Sequence, residues 1–105
     1  MRLARARIAA AEKNAYWVRL RFEKGAASMA EYLASRLLCF DAVRDSPIRG
    51  PEREKAASDY RDSVAQLVES VRGKVESGNL STGDLAAVEY RLAEAEYWLE
   101  EVRGP

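Results

Sequence analysis

The chain has 105 residues, 48% of them apolar and 32% charged, and its 17 Lys+Arg offset 17 Asp+Glu to a formal net charge of zero. That is one domain's worth of protein with apolar material for a core, and the charge balance argues against a general polyanion binder, whose affinity rests on a basic excess. The chain has no histidine, which excludes a His general base and a His-ligated metal site, and its single cysteine, Cys39, excludes an intramolecular disulfide or a Cys-x-x-Cys centre.

The first predicted element is a helix over residues 2–24. Its basic start lacks the continuous apolar region and cleavage site of a secretory signal, and the helical pattern runs unbroken through Phe22. A glycine turn at Lys24-Gly25-Ala26-Ala27-Ser28 ends it: Gly25 suits a left-handed stop, and Ser28 with Glu31 fits a capping box for the next helix, over 28–45. The proline-rich Ser46-Pro47-Ile48-Arg49-Gly50-Pro51 is read as a linker over 46–51. Pro51 then suits the first position of a third helix over 51–77, with Glu52 and Glu54 favourable near its N-terminus. A second glycine turn, Ser77-Gly78-Asn79-Leu80-Ser81, pairs a Gly78 stop with a weaker capping box of Ser81 and Asp84. The fourth helix is expected over 81–103. With short connections, sequential helices should be antiparallel neighbours. The predicted fold is all-α: a single domain over 1–105, built as an up-and-down antiparallel four-helix bundle.

An internal repeat supports the division. A shift of 53 residues lays Val18-Arg19 on Val71-Arg72, Glu23 on Glu76, Gly25 on Gly78, Ser28 on Ser81, Glu31 on Asp84 and Ala42 on Ala95. Two helix–Gly turn–helix hairpins, 2–45 and 51–103, are thus joined by the proline linker. The pattern Arg19, Gly25, Ser28 and Glu31, repeated as Arg72, Gly78, Ser81 and Asp84, resembles the periplasmic hairpin tips of bacterial outer-membrane efflux channels (TolC-like). In that family two such hairpins per chain form the tip of a coiled-coil tunnel, whose turns meet an adaptor protein. No alternating β segments for an outer-membrane barrel accompany the pattern here. The resemblance therefore implies a stand-alone two-hairpin module, not a channel.

Each helix offers an apolar seam at steps of three and four. The first has Ala4, Ile8, Ala11, Ala15, Val18 and Phe22; the second, less regular, has Met29, Leu33, Leu37, Phe40 and Val43. The third supplies Tyr60, Val64, Leu67, Val71 and Val75, and the fourth Leu85, Val88, Leu92, Ala95, Leu99 and Val102. Residues 1–25 carry seven bases and two acids, residues 80–105 two bases and six acids, an asymmetry that favours pairing of the first and last helices.

A second stripe lies nearly opposite these seams. Leu3, Ala6, Ala10, Trp17 and Leu20 form it on the first helix, and Ala86, Tyr90, Ala93 and Tyr97 on the fourth. A monomeric bundle buries one broad face per helix, so Leu3, Trp17, Leu20, Tyr90 and Tyr97 are expected to form or border an interface with a second copy or another helical protein.

Catalytic chemistry finds little footing. Cys39, between Leu38 and Phe40, reads as a buried and inert thiol. Glu89, Glu96, Glu100 and Glu101 read as a solvated or ion-pairing face, because a di-iron bundle needs Glu-x-x-His pairs. Arg2, Arg5, Arg7, Arg19 and Arg21 could contact phosphates, yet Arg19 and Arg21 flank the core seam and can serve acidic neighbours instead, so nucleic acid is not the favoured partner. Small all-helical chorismate mutases need neither His nor metal, and the Arg-rich first helix with Gln66 is similar to their inventory in composition alone. The expectation is a non-catalytic structural or protein-interaction module without a cofactor, a homodimer or bound to a helical partner. The alternative is a domain binding an anionic ligand or nucleic acid at the basic first helix. No apolar run approaches the ~18 residues a membrane span needs. The cytoplasm is expected if the chain is complete, and the cell envelope or periplasm if it is a fragment.

Overall fold

In the computed structural model, which describes residues 1–104, the chain is all-α. Its helices are α1 (Arg2–Glu23), α2 (Met29–Arg44), α3 (Pro51–Glu76) and α4 (Thr82–Arg103). Each end lies within a residue or so of where the turn chemistry predicts it. The chain divides into two compact units, Met1–Ala56 and Ala57–Pro105.

The first unit is built on an antiparallel α1–α2 hairpin. At its turn the Phe22 and Tyr32 rings stack with centroids 4.7 Å apart. At the other end Ile8 packs with Ala42, Val43 and Ile48, flanked by Ala11 and Ala56. Ile8, Ala15 and Val18 are buried on α1, and Ser35, Phe40, Ala42 and Val43 on α2. Each large apolar side chain so buried contributes roughly 1.5–3 kcal/mol.

The 46–51 segment is an organised part of this unit, more than the linker its prolines and glycine suggest. Ser46 Oγ donates to the Val43 carbonyl at 2.6 Å and accepts from the Ile48 amide at 3.1 Å. These bonds turn the Ile48 side chain into the core, where it is 5% exposed. Arg53, one turn into α3, donates to the carbonyls of Arg44 at 2.8 Å and Ile48 at 3.1 Å. A cation there satisfies a carbonyl at the C-terminus of α2 and complements its dipole. Burial, then the charges of Arg49 and Arg44, lower the Arg53 pKa, with Asp45 opposing. The guanidinium stays charged, since arginine titrates far above neutral pH.

The second unit is an antiparallel hairpin of α4 against the greater part of α3. Arg72 reaches Glu89 at 3.6 Å near the turn, and the Tyr60 and Trp98 rings lie 6.1 Å apart farther along. Ala57, Tyr60, Val64, Leu67, Val68 and Val71 are buried on α3, and Val88, Ala95 and Leu99 on α4. Of the heptad positions legible in the sequence, Tyr60, Val64, Leu67, Val71, Val88, Ala95 and Leu99 are buried, while Val75, Leu85, Leu92 and Val102 are half-buried. Val68 and Ala57 widen the α3 stripe into the broader face a globular helix uses.

The two hairpin turns are built alike. After α1, the Ala26 amide donates to the Arg21 carbonyl at 2.7 Å and the Gly25 amide to Phe22 at 3.0 Å. After α3, Asn79 donates to Lys74 at 2.8 Å and Gly78 to Val75 at 3.0 Å. This double bond pattern is a Schellman motif, which needs a left-handed residue at its corner; Gly25 has φ 77° and Gly78 φ 80°. Three residues on, Ser28 and Ser81 sit in extended backbone and accept from the amides of Glu31 and Asp84 at 3.0 and 3.2 Å. The acids answer by accepting from the serine amides, at 3.3 Å for Glu31 and 3.0 Å for Asp84.

Candidate interaction surface

Helical geometry separates two faces on α1. At 100° per residue, Leu3, Ala6, Ala10 and Trp17 fall within about 40° of one line, well away from the buried Ile8, Ala15 and Val18. Leu3 is 73% and Trp17 56% exposed, and Ala6 and Ala10 are exposed as well. Leu20, at the edge of the line, is half-buried and borders the stripe. The Trp17 ring is steadied by Tyr16, edge to face at 5.3 Å, and the Arg19 guanidinium lies 5.9 Å from the Tyr16 ring centre. Such contacts hold two large rings in place while leaving them open to solvent.

On α4, Ala86, Tyr90, Ala93 and Tyr97 share one exposed face, with Tyr90 64% and Tyr97 61% exposed. Arg91 lies 5.8 Å from the Tyr90 ring centre and donates to Glu94 at 3.1 Å. A groove lined by Tyr97, Glu100, Glu101 and Gly104 continues the face to the end of the helix.

The charges beside the two stripes have opposite sign. Arg2 and Lys13 flank the line through Leu3 and Trp17, while Glu12 and Glu23 fall on other sides of α1. On α4 the acids Glu94, Glu100 and Glu101 flank the tyrosines. Most remaining charges are spent on local pairs. Arg5 is bound by Glu52, Arg7 by Asp45 at 3.2 Å, Arg19 by Glu23 at 3.4 Å and Arg21 by Glu31 at 3.3 Å. Among the described residues no such pair engages Arg2, Lys13, Glu100 or Glu101. Lys13 and Glu100 also occupy heptad positions within their stripes. A search of the sequence for apolar periodicity passes over them, because a charge at such a position reads as an interruption.

Gly25, Ser28 and Glu31 lie at the turn of the first hairpin and Gly78, Ser81 and Asp84 at the turn of the second, each set apart from the stripe of its own unit, and their bonds are intramolecular caps. Hydrogen bonds from the Ser81 backbone amide and hydroxyl hold the Asp84 carboxyl below its ordinary value. Bonding to Arg5 likewise lowers the Glu52 carboxyl. Cys39 is half-buried. Burial pushes its thiol up, the Arg36 charge opposes this, and Glu12 adds to it. A raised pKa leaves little thiolate at neutral pH. Among the described residues no cluster of three or more Cys, Asp or Glu could hold a metal ion, and no helix is long and apolar enough to cross a membrane.

No protein-family model, curated protein or solved structure matches this chain.

Proposed function

We propose that the chain is a non-catalytic protein-interaction module that associates with a second copy of itself through the exposed stripes of α1 and α4. The observation that carries this reading is the exposure of Leu3, Trp17, Tyr90 and Tyr97 at heptad spacing, while other faces of the same helices already bury Ile8, Val18, Val88 and Leu99. Aromatic side chains gain most from a desolvated contact, and Trp and Tyr dominate such interfaces. Reciprocal pairing across a two-fold axis gives a closed dimer, not a fibre. The twin hairpin turns, which resemble efflux-channel tips, suit the same reading, since helices in such assemblies are flanked by others.

A second reading, an anionic ligand or nucleic acid on the basic first helix, draws on the first unit's twelve Lys+Arg against seven Asp+Glu. Arg5, Arg7, Arg19 and Arg21 are already held by carboxylates, which leaves few cations for phosphates. The test is sedimentation of the native chain and of a Trp17→Glu, Tyr97→Glu variant at tens of micromolar. The reading predicts a native dimer and a monomeric variant; a dimer indifferent to both substitutions places the contact elsewhere. Nucleic-acid binding that collapses with added salt, without self-association, favours the second reading.

A further inference from the structure

We propose that the α1 stripe of one copy lies antiparallel on the α4 stripe of a second copy, with Trp17 over Ala86 and Tyr97 over Ala6. This rests on the self-association just proposed and specifies its pairing. The first support is spacing. From Leu3 to Leu20 the α1 stripe steps 3, 4, 3, 4, 3, and between Gly83 and Glu100 α4 steps identically in either direction, each over about 26 Å of helix, so the two stripes match in register and the sense is set by size and charge.

The second support is size. In this register two of the three rings meet a small residue, Trp17 on Ala86 and Tyr97 on Ala6, with Ala10 on Ala93 letting the helices approach closely. Interdigitation of large with small is what dense packing requires. The parallel register instead sets Trp17 against Tyr97 and Ala6 against Ala86, leaving a bulge beside a gap.

The third support is charge. The antiparallel register carries Lys13 onto the exposed face of Tyr90, a cation–π geometry, and Arg2 to the end of α4 bearing Glu100 and Glu101. Among the described residues Arg2, Lys13, Glu100 and Glu101 enter no ion pair. A parallel pairing of α1 with α1 would oppose Arg2 and Lys13 to their own copies, and of α4 with α4 the glutamates; the antiparallel versions part those charges but bring two stripes of like net sign together. Neither gains the attraction of opposite charges, so complementarity selects α1 against α4.

Sedimentation in low salt tests the pairing with three chains: Arg2→Glu/Lys13→Glu, Glu100→Lys/Glu101→Lys, and all four substitutions together. Each pair alone turns attraction into repulsion and should weaken association by about tenfold or more; the fourfold chain should return to within about threefold of native. Like-with-like pairing predicts that neither pair alone weakens the dimer, and that result overturns the proposal, as does a fourfold chain weaker than either pair. The register is tested by exchanging bulk: Trp17→Ala should weaken the dimer and Trp17→Ala/Ala86→Trp should restore it. Failure of that restoration overturns the antiparallel register. Matching circular-dichroism melts verify that each chain is folded. A native chain that stays monomeric refutes self-association itself, a different result from a dimer that ignores these changes.

Discussion

Replacing both capping serines, Ser28→Ala with Ser81→Ala, removes the same element from two helices. Each hydroxyl accepts one amide hydrogen bond, from Glu31 at 3.0 Å and from Asp84 at 3.2 Å. The acids keep their bonds to the serine amides, since those use backbone donors. Half of each box is therefore lost, at Ser81 together with the hydrogen bond its hydroxyl donates to the Asp84 carboxylate at 2.9 Å, and the exposed amide is partly rehydrated, which places each cost at about 1 kcal/mol. The two caps share no partner, so the double variant should lose about 2 kcal/mol. For a chain of this size 1 kcal/mol moves the melting midpoint by roughly 4–8 °C, so a fall of about 8–16 °C is expected for the pair. Thermal unfolding followed at 222 nm is the assay. The serine-to-glycine versions should cost only a few tenths of a kcal/mol each, which separates capping from general damage. A double alanine variant melting within a degree or two of native refutes the capping argument.

Gly25→Ala and Gly78→Ala put a side chain at positive φ with nothing within 4 Å to clash, so each should cost only the backbone term of about 1–2 kcal/mol, read by the same melts. Asp84 titrates below its ordinary value because Ser81 stabilises its charged form; its contribution is present above the unfolded carboxyl pKa and is lost as pH falls through the lower folded value. NMR titration of Ser81→Ala should show the Asp84 pKa rising part of the way back, because the hydroxyl's bond is lost while the larger effect, that of the Ser81 backbone amide, remains. Phe40, 2% exposed, should cost about 3–5 kcal/mol as Phe40→Ala, a large part of the 5–15 kcal/mol typical of a domain; a denaturant midpoint close to native would show that the site collapses around the loss. Cys39, its thiol pushed up by burial, should react with iodoacetamide far more slowly in the folded chain than in denaturant, and equal rates would contradict its burial.

Local chemistry made the helix ends legible. A glycine three residues before a serine, with an acid three residues after it, solves a stop and a start at once, whatever the remainder of the chain does. The seams of α3 and α4 were legible because their valines and leucines recur at heptad steps with few polar interruptions. The interior role of Ile48 was hidden, because Pro and Gly on both sides of it read as an exposed loop. The hydrogen bonds of Ser46 that turn it inward are visible only in three dimensions. Arg53 was hidden for a related reason: its acceptors, the Arg44 and Ile48 carbonyls, are backbone groups with no sequence signature. At the stripes, periodicity marked the apolar positions but passed over Lys13 and Glu100. Their significance lies in which charges are left unpaired once Arg5, Arg7, Arg19 and Arg21 have found carboxylates, and that is a property of the folded chain.

Sedimentation equilibrium of the native chain at tens of micromolar tests self-association most directly. A mass twice the 11.8 kDa of one chain, falling toward one chain on dilution, is the predicted result. A mass of one chain throughout, with Trp17, Tyr90 and Tyr97 still open to solvent-borne fluorescence quenchers and oxidants, would contradict it.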